Sequence, residues 1–223
     1  MKTIFHILLY VTMSLMTTLV SAQDMSSLEE FYKKLSNGCF SFSCQYTLQP
    51  SGSGNAASFG NIMGEARVEM QGDAYIFRGN GLAIISDGKS ICVMDESAEE
   101  AVYEALPESF TETDYLQNPA YLIRGLEDNF KVLSSTRVKD ARGGYVSDNY
   151  VLVPTVQCGI CKCYLDFVAH KGILSAAEFE LSDGNVLKVK FSEQKFLPEK
   201  PMEYFALMNP SSFESSWIIT DLR

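Results

Sequence analysis

The chain has 223 residues, with 28 acidic against 18 basic side chains and a formal net charge of −10 at neutral pH. That balance argues against a nucleic-acid binder, whose partner's phosphates demand clustered Lys and Arg, and against a basic membrane-adhering patch. It suits a solvated acidic surface that keeps the protein monomeric, and 46% apolar residues suffice for one sizeable core.

Residues 1–22 carry one basic residue, Lys2, then an apolar run over 4–10 with further Leu, Met and Val, and end in Val20-Ser21-Ala22. This predicts a secretory signal peptide cleaved after Ala22. Thr12, Ser14, Thr17 and Thr18 leave the run short of the ~20 apolar residues a spanning helix needs. The first Cys after it is Cys39, so no lipid-attachment Cys follows the signal and residues 23–223 are expected as one soluble domain. Losing Lys2 with the leader moves the net charge from −10 to −11.

Next, Leu28, Phe31, Tyr32 and Leu35 recur at i, i+3, i+4 and i+7, the stripe of an amphipathic helix, with Ser26 and Ser27 as caps and Asn37-Gly38 as its end. Strict alternation follows. Phe40, Phe42, Cys44, Tyr46 and Leu48 alternate with polar residues, so one face meets a core and the other meets water. After a Ser/Gly/Asn-rich loop over 50–58, Ile62, Ala66, Val68 and Met70 alternate with Glu65, Arg67, Glu69 and Gln71, up to a turn at Gly72-Asp73.

Within residues 84–95, two apolar runs flank Asp87-Gly88, the signature of a β-hairpin whose turn needs positive φ angles; Ser86 and Lys89 read as its polar shoulders. Further strands are predicted near 74–79, 82–86, 90–95, 99–105, 130–137, 145–154, 160–170, 174–182 and 186–194. Among these, Leu165 with Phe167 and Phe179 with Leu181 mark core faces. The total is about eleven strands in an antiparallel meander.

One helix interrupts the series, with Asn118 as N-cap, Pro119 at the first helical position and Leu122, Ile123 and Leu126 as its apolar stripe up to Glu127-Asp128-Asn129. Pro198, Pro201 and Pro210 mark an irregular segment whose Met202, Tyr204, Phe205, Leu207 and Met208 need cover, so it should lie against the sheet. Barrel interiors widen with strand number, and about eleven strands need a plug. The two amphipathic helices are the available filling.

Catalytic chemistry has little support. His170, in an apparent turn, is the one His after the leader, and no Gly-rich phosphate loop precedes a helix. Adjacent acids on a strand point to opposite faces and make no acid/base pair. Six Cys invite disulfides or, at Cys158, Cys161 and Cys163, a soft-metal site; with no His nearby in sequence, structural or redox-variable thiols are preferred and connectivity stays open. Alternation places Cys161 and Cys163 on one sheet face. No metal, cofactor or enzymatic activity is expected.

The hairpin Ile-Ser-Asp-Gly-Lys-Ser-Ile, Asn118-Pro119 before an apolar helix, Phe205 in a Pro-bearing segment and the ending Ile219-Thr220-Asp221-Leu222-Arg223 resemble the LolA-like family of periplasmic lipoprotein carriers, in its Bacteroides-type branch. The resemblance implies a mainly β fold, an incompletely closed antiparallel barrel of about eleven strands with helices plugging or covering the concave side. It implies a periplasmic carrier that shelters acyl chains of a lipoprotein or another lipid. Its partners would be an inner-membrane releasing complex and an outer-membrane acceptor. The cavity would be lined by Phe40, Phe42, Tyr46, Leu48, Ile62, Val68 and Met70, together with the later Leu165, Phe167, Phe179 and Leu181. The lid would carry Leu28, Phe31, Tyr32 and Leu35 from one helix and Leu122, Ile123 and Leu126 from the other. Two departures stand out: Met70 and Gln71 occupy the place of the family's Arg-Pro pair, whose Arg holds the lid, and Cys92 stands where the family often has Trp. Arg67 or Arg78 is a substitute for that Arg, although a solvated strand Arg is the commoner role. A filled core without ligand, in a structural or interaction domain of the envelope, is the alternative.

Expression with the native leader should yield a mature chain starting at Gln23 in the soluble envelope fraction. N-terminal sequencing checks this, and retained Met1 in a membrane pellet would refute it.

Overall fold

The computed structural model describes residues 25–50, 62–106, 123 and 125–223. In chain order these form α1 (Ser26–Leu35), β1 (Cys39–Gln49), β2 (Ile62–Gln71), β3 (Ala74–Gly79), β4 (Leu82–Asp87), β5 (Ser90–Asp95) and β6 (Glu100–Ala105). There follow α2 (Leu126–Asn129), β7 (Phe130–Lys139), β8 (Tyr145–Pro154), β9 (Ile160–Val168), β10 (Ile173–Leu181), β11 (Val186–Leu197), two 3-10 turns (Met202–Phe205 and Pro210–Ser212) and β12 (Ile218–Asp221).

The strands form one 12-stranded sheet in the order β12-β6-β5-β4-β3-β2-β1-β11-β10-β9-β8-β7. Two antiparallel meanders, β1 to β6 and β7 to β11, are sewn together where β1 pairs with β11 from Cys39↔Leu197 to Gln49↔Val186. β7 and β12 hold the two edges, so the sheet is an incomplete barrel rather than a closed one. β12 is the strand that periodicity did not announce. Four residues are too few to show alternation, and its pairing with β6 is parallel, Ile218↔Glu100 to Asp221↔Tyr103, a register that depends on the path of the whole C-terminal segment.

One sheet face carries the main core, with Phe40, Phe42, Val68, Phe77, Phe167 and Phe179 at 1% exposure or less. The alternation predicted water on the other face, and β3 to β5 depart from this: the run Ala74–Phe77 of β3 is buried on both sides. The second layer comprises Ile76, Ile85, Cys92, Met94 and Tyr103 with the fully buried Phe205, against which Leu207, Phe213 and Trp217 pack. The Pro-bearing segment does lie on the sheet. Gln71 fastens it by giving its amide to Lys200 O at 3.0 Å and accepting Lys200 N–H at 2.8 Å. Tyr204 donates to Glu69 at 2.7 Å and Tyr103 to Met208 O at 2.7 Å.

The β4–β5 hairpin forms by a different turn geometry from the one expected. Only Gly88 has positive φ, +89°, while Asp87 stays in the strand and its carboxylate accepts the Lys89 and Ser90 amides at 2.8 Å. Ser86 is not a wet shoulder but fully buried, donating to Asp73 O at 3.1 Å and accepting Gly88 N–H. A neighbouring turn, brought alongside by β3–β4 pairing, covers it.

Because Phe205 is fully buried between the tail and the sheet, Phe205→Ala is expected to cost about 3–5 kcal/mol. Urea unfolding checks this; a loss below about 1 kcal/mol would mean that the tail contributes no core.

Candidate ligand face and its mouth

α1 forms because its apolar stripe can be buried and its charges suit the helix dipole, with Glu29 in the first turn and Lys33 and Lys34 in the last. It lies on the core face of the sheet. The ring of Phe31 meets Phe40 of β1 at 5.6 Å, Phe167 of β9 at 5.4 Å and Phe196 of β11 at 6.2 Å, all edge-on. Gly172, at φ +54° in the β9–β10 turn, lets that turn pass the helix: a Cβ there would stand 3.0 Å from Glu30 and 3.1 Å from the Phe31 amide. At the far end Lys34 pairs with Glu30 at 2.7 Å and donates to Lys171 O at 2.7 Å.

The start of α1 is held by a constellation that sequence reasoning missed. Ser26 and Ser27 do not cap the helix; Met25 is the N-cap and no side chain closes it. Instead Ser27 is fully buried and donates to Asp148 Oδ2 at 2.5 Å. Asp148, 2% exposed on β8, also accepts the His170 amide at 3.2 Å and Arg137 Nε at 3.0 Å. Burial pushes its carboxyl upward, but the hydrogen bonds from Ser27, His170 and Arg137 outweigh that and hold it below the ordinary carboxylate range. His170 thus contributes its backbone N–H, from a left-handed φ of +57°, while its ring stands edge-on to Tyr145 at 5.9 Å. No local signal marks Asp148, since Ser27 lies 121 residues away.

The sequence-predicted cavity residues Phe40, Phe42, Tyr46, Leu48, Val68, Met70, Leu165, Phe167, Phe179 and Leu181 all fall in this one core, as do Leu28, Phe31, Ile123 and Leu126. Tyr32 and Leu35 pack at its margin. Ile62, the first residue of β2, pairs with Leu48. Leu122 lies outside the described residues, as do Asn118 and Pro119, the expected start of the interrupting helix. The expected helix does not run unbroken through Leu126. Gly125 takes a left-handed φ of +72° and serves as the N-cap of the separate turn α2, because a residue at that φ cannot continue a right-handed helix.

Between the end of α1, the β2–β3 turn and this break is a pocket of about 200 Å³, lined by Tyr32, Leu35, Met70, Ile123 and Leu126, with Asp73, Glu127 and Asp128 also on its wall. Burial, then the proximity of Cys163 and Glu127, pushes the Tyr32 hydroxyl well up, so it stays neutral. A larger depression of about 410 Å³ lies elsewhere, lined by Ser43, Gln45, Glu65, Arg67, Arg78 and Glu193. It lies on the side of β2 opposite Val68, and most of the side chains around it are polar or charged. Arg67 and Arg78 are direct cross-strand partners there, both exposed, on the side of β2 away from Val68 and the main core.

The cysteines are dispersed. Cys44 and Cys163 lie in the core under α1, whereas Cys39 and Cys92 lie in the layer under the C-terminal segment. Cys161 does not share a face with Cys163: a bulge, where Leu181 opposes Ile160 but Glu180 opposes Lys162, turns Cys161 outward and leaves Cys163 fully buried. Among the described residues no group of three His, Cys, Asp or Glu is placed to hold a metal ion.

Asp148→Asn keeps the shape but removes the charge, and should lower stability at neutral pH by about 1.5–3 kcal/mol. Because the folded carboxyl titrates below its unfolded value of about 3.9, its contribution is complete above that pH and is lost as pH falls through the lowered folded value. Urea unfolding against pH should therefore show wild type and variant apart at neutral pH and converging in acid. Parallel curves would refute the assignment.

No family model and no curated protein matches the chain. Solved structures do. An uncharacterized conserved protein from Thermus thermophilus is 10% identical and aligns over 87% of this chain and 99% of its own, at a TM-score of 0.48. A LolA superfamily protein from Nitrosomonas europaea is 14% identical over 80% of this chain and 97% of its own, at 0.42. A putative outer membrane lipoprotein-sorting protein domain from Vibrio parahaemolyticus is 12% identical over 81% and 95%, at 0.42.

Proposed function

We propose that the protein is a carrier of an acylated lipoprotein or another lipid, binding acyl chains on the α1 face of its open sheet without chemistry of its own. The observation that carries this reading is the apolar pocket at the mouth of the core, walled by Tyr32, Leu35, Met70, Ile123 and Leu126. At about 200 Å³ it is smaller than the ~300–1,000 Å³ of small-molecule sites, so it is an entrance, and occupation requires the Ile123–Leu126 segment to yield. That is energetically feasible. The segment is held by apolar burial at ~25 cal/mol per Å², and an acyl chain returns ~0.8 kcal/mol per buried CH₂. The break at Gly125 supplies a joint for the displacement. The LolA-like hairpin and C-terminal motifs point the same way, and with the export signal they support a carrier working in the periplasm, between a releasing and an accepting membrane complex.

A second reading, an envelope domain with a filled core, is favoured by one observation: Phe31 of α1 and the Phe40 and Phe167 rings beneath it are already buried to 1% exposure or less. The two part on ligand. Mass spectrometry of an organic extract of the purified mature protein should find a retained lipid. Ile123→Ala and Leu126→Ala should each destabilise the empty protein by about 2–5 kcal/mol, while acylated peptide binds equally or more tightly and gives a larger thermal shift. Destabilisation with no binding of acylated peptide or fatty acid by any form would leave the filled-core reading standing.

A further inference from the structure

Four of the six cysteines are sealed: Cys39, Cys44, Cys92 and Cys163 are exposed by 2% or less. The remaining two, Cys158 and Cys161, flank Gly159-Ile160 at the turn between β8 and β9. Gly159 takes a φ of +72°, and its carbonyl accepts the Ser182 amide at 2.9 Å, fixing the turn against the end of β10. Ile160 points into the core at 6% exposure, and the bulge that follows sets Cys161 into solvent, while Cys158 is half-buried against the core margin. Cys158 and Cys161 thus stand at Cys-x-x-Cys spacing across a bend, one thiol exposed and its neighbour partly sheltered.

We infer that Cys158 and Cys161 form a thiol–disulfide exchange site that takes an external disulfide, from an oxidised protein thiol pair or from oxidised glutathione, and closes into an intramolecular disulfide. The Cys161 thiolate attacks one sulfur of R–S–S–R, forming a mixed disulfide and expelling one R–S⁻. The Cys158 thiolate then attacks the Cys161 sulfur, closing the ring and releasing the second R–S⁻. The two cysteines lose two electrons and two protons, and the external disulfide becomes two thiols. Cys163, two residues on, takes no part because it is walled into the core beneath α1. The site is independent of lipid binding.

The reduced mature protein, treated with oxidised glutathione, alkylated and digested with trypsin without reduction, tests this. Cleavage after Arg142 and Lys162 puts Cys158 and Cys161 together on peptide 143–162 and Cys163 on peptide 163–171. Peptide 143–162 is expected two hydrogens lighter and unalkylated, and separate from peptide 163–171. In Cys158→Ser, with no second thiol to close the ring, Cys161 should instead keep one glutathione. Alkylation of both thiols after oxidation, a stable glutathione adduct at Cys161 of the wild type, or a bond joining the two peptides would each overturn the assignment.

Discussion

The rest of the structure depends on the burial of one aromatic ring. An open sheet presents a broad apolar face that water must not reach, and α1 supplies the cover by sending Phe31 among Phe40, Phe167 and Phe196. Those three rings belong to β1, β9 and β11, strands drawn from both meanders. The contact therefore sits beside the β1–β11 seam, where the two halves of the sheet join. Edge-on aromatic pairs add ~0.5–1.5 kcal/mol each beyond their buried area, so the helix is anchored at its centre and needs only to be oriented at its ends.

Orientation comes from polar groups of different character at the two ends. Ser27 reaches a buried carboxylate that Arg137 and the His170 amide also bind, whereas Lys34 uses an exposed carbonyl and a surface carboxylate. Surface ion pairs contribute ~0–1 kcal/mol, and a buried carboxylate left without donors costs far more. The start of α1 is accordingly the firm end. The pocket opens at the other end, beside Tyr32 and Leu35 and against the Gly125 break.

The opposite face of the sheet is closed by a separate device. The C-terminal segment docks Phe205 against β3 to β6, is fastened by Gln71 and Glu69 to its Lys200, and ends by adding a parallel strand to the edge. Met70 and Gln71, neighbours on β2, thus act on opposite faces: Met70 lines the pocket and Gln71 holds the tail.

What the sequence determined by itself follows from period and punctuation. Two-residue alternation placed eleven strands and assigned Phe40, Phe42, Tyr46, Val68 and Phe167 to one face, because side-chain direction in a strand is set by the backbone alone. The 3.6-residue stripe of α1 was equally local. Tertiary structure decided whatever needed a distant partner. The covering of β3 to β5 on both faces, the parallel register of β12 and the burial of Ser86 all depend on segments brought alongside by folding. So does the role of Asp148, which no neighbour in sequence announces. The bulge at Cys161 belongs to the same class, since an extra residue against β10 reverses the alternation and only the pairing register reveals it.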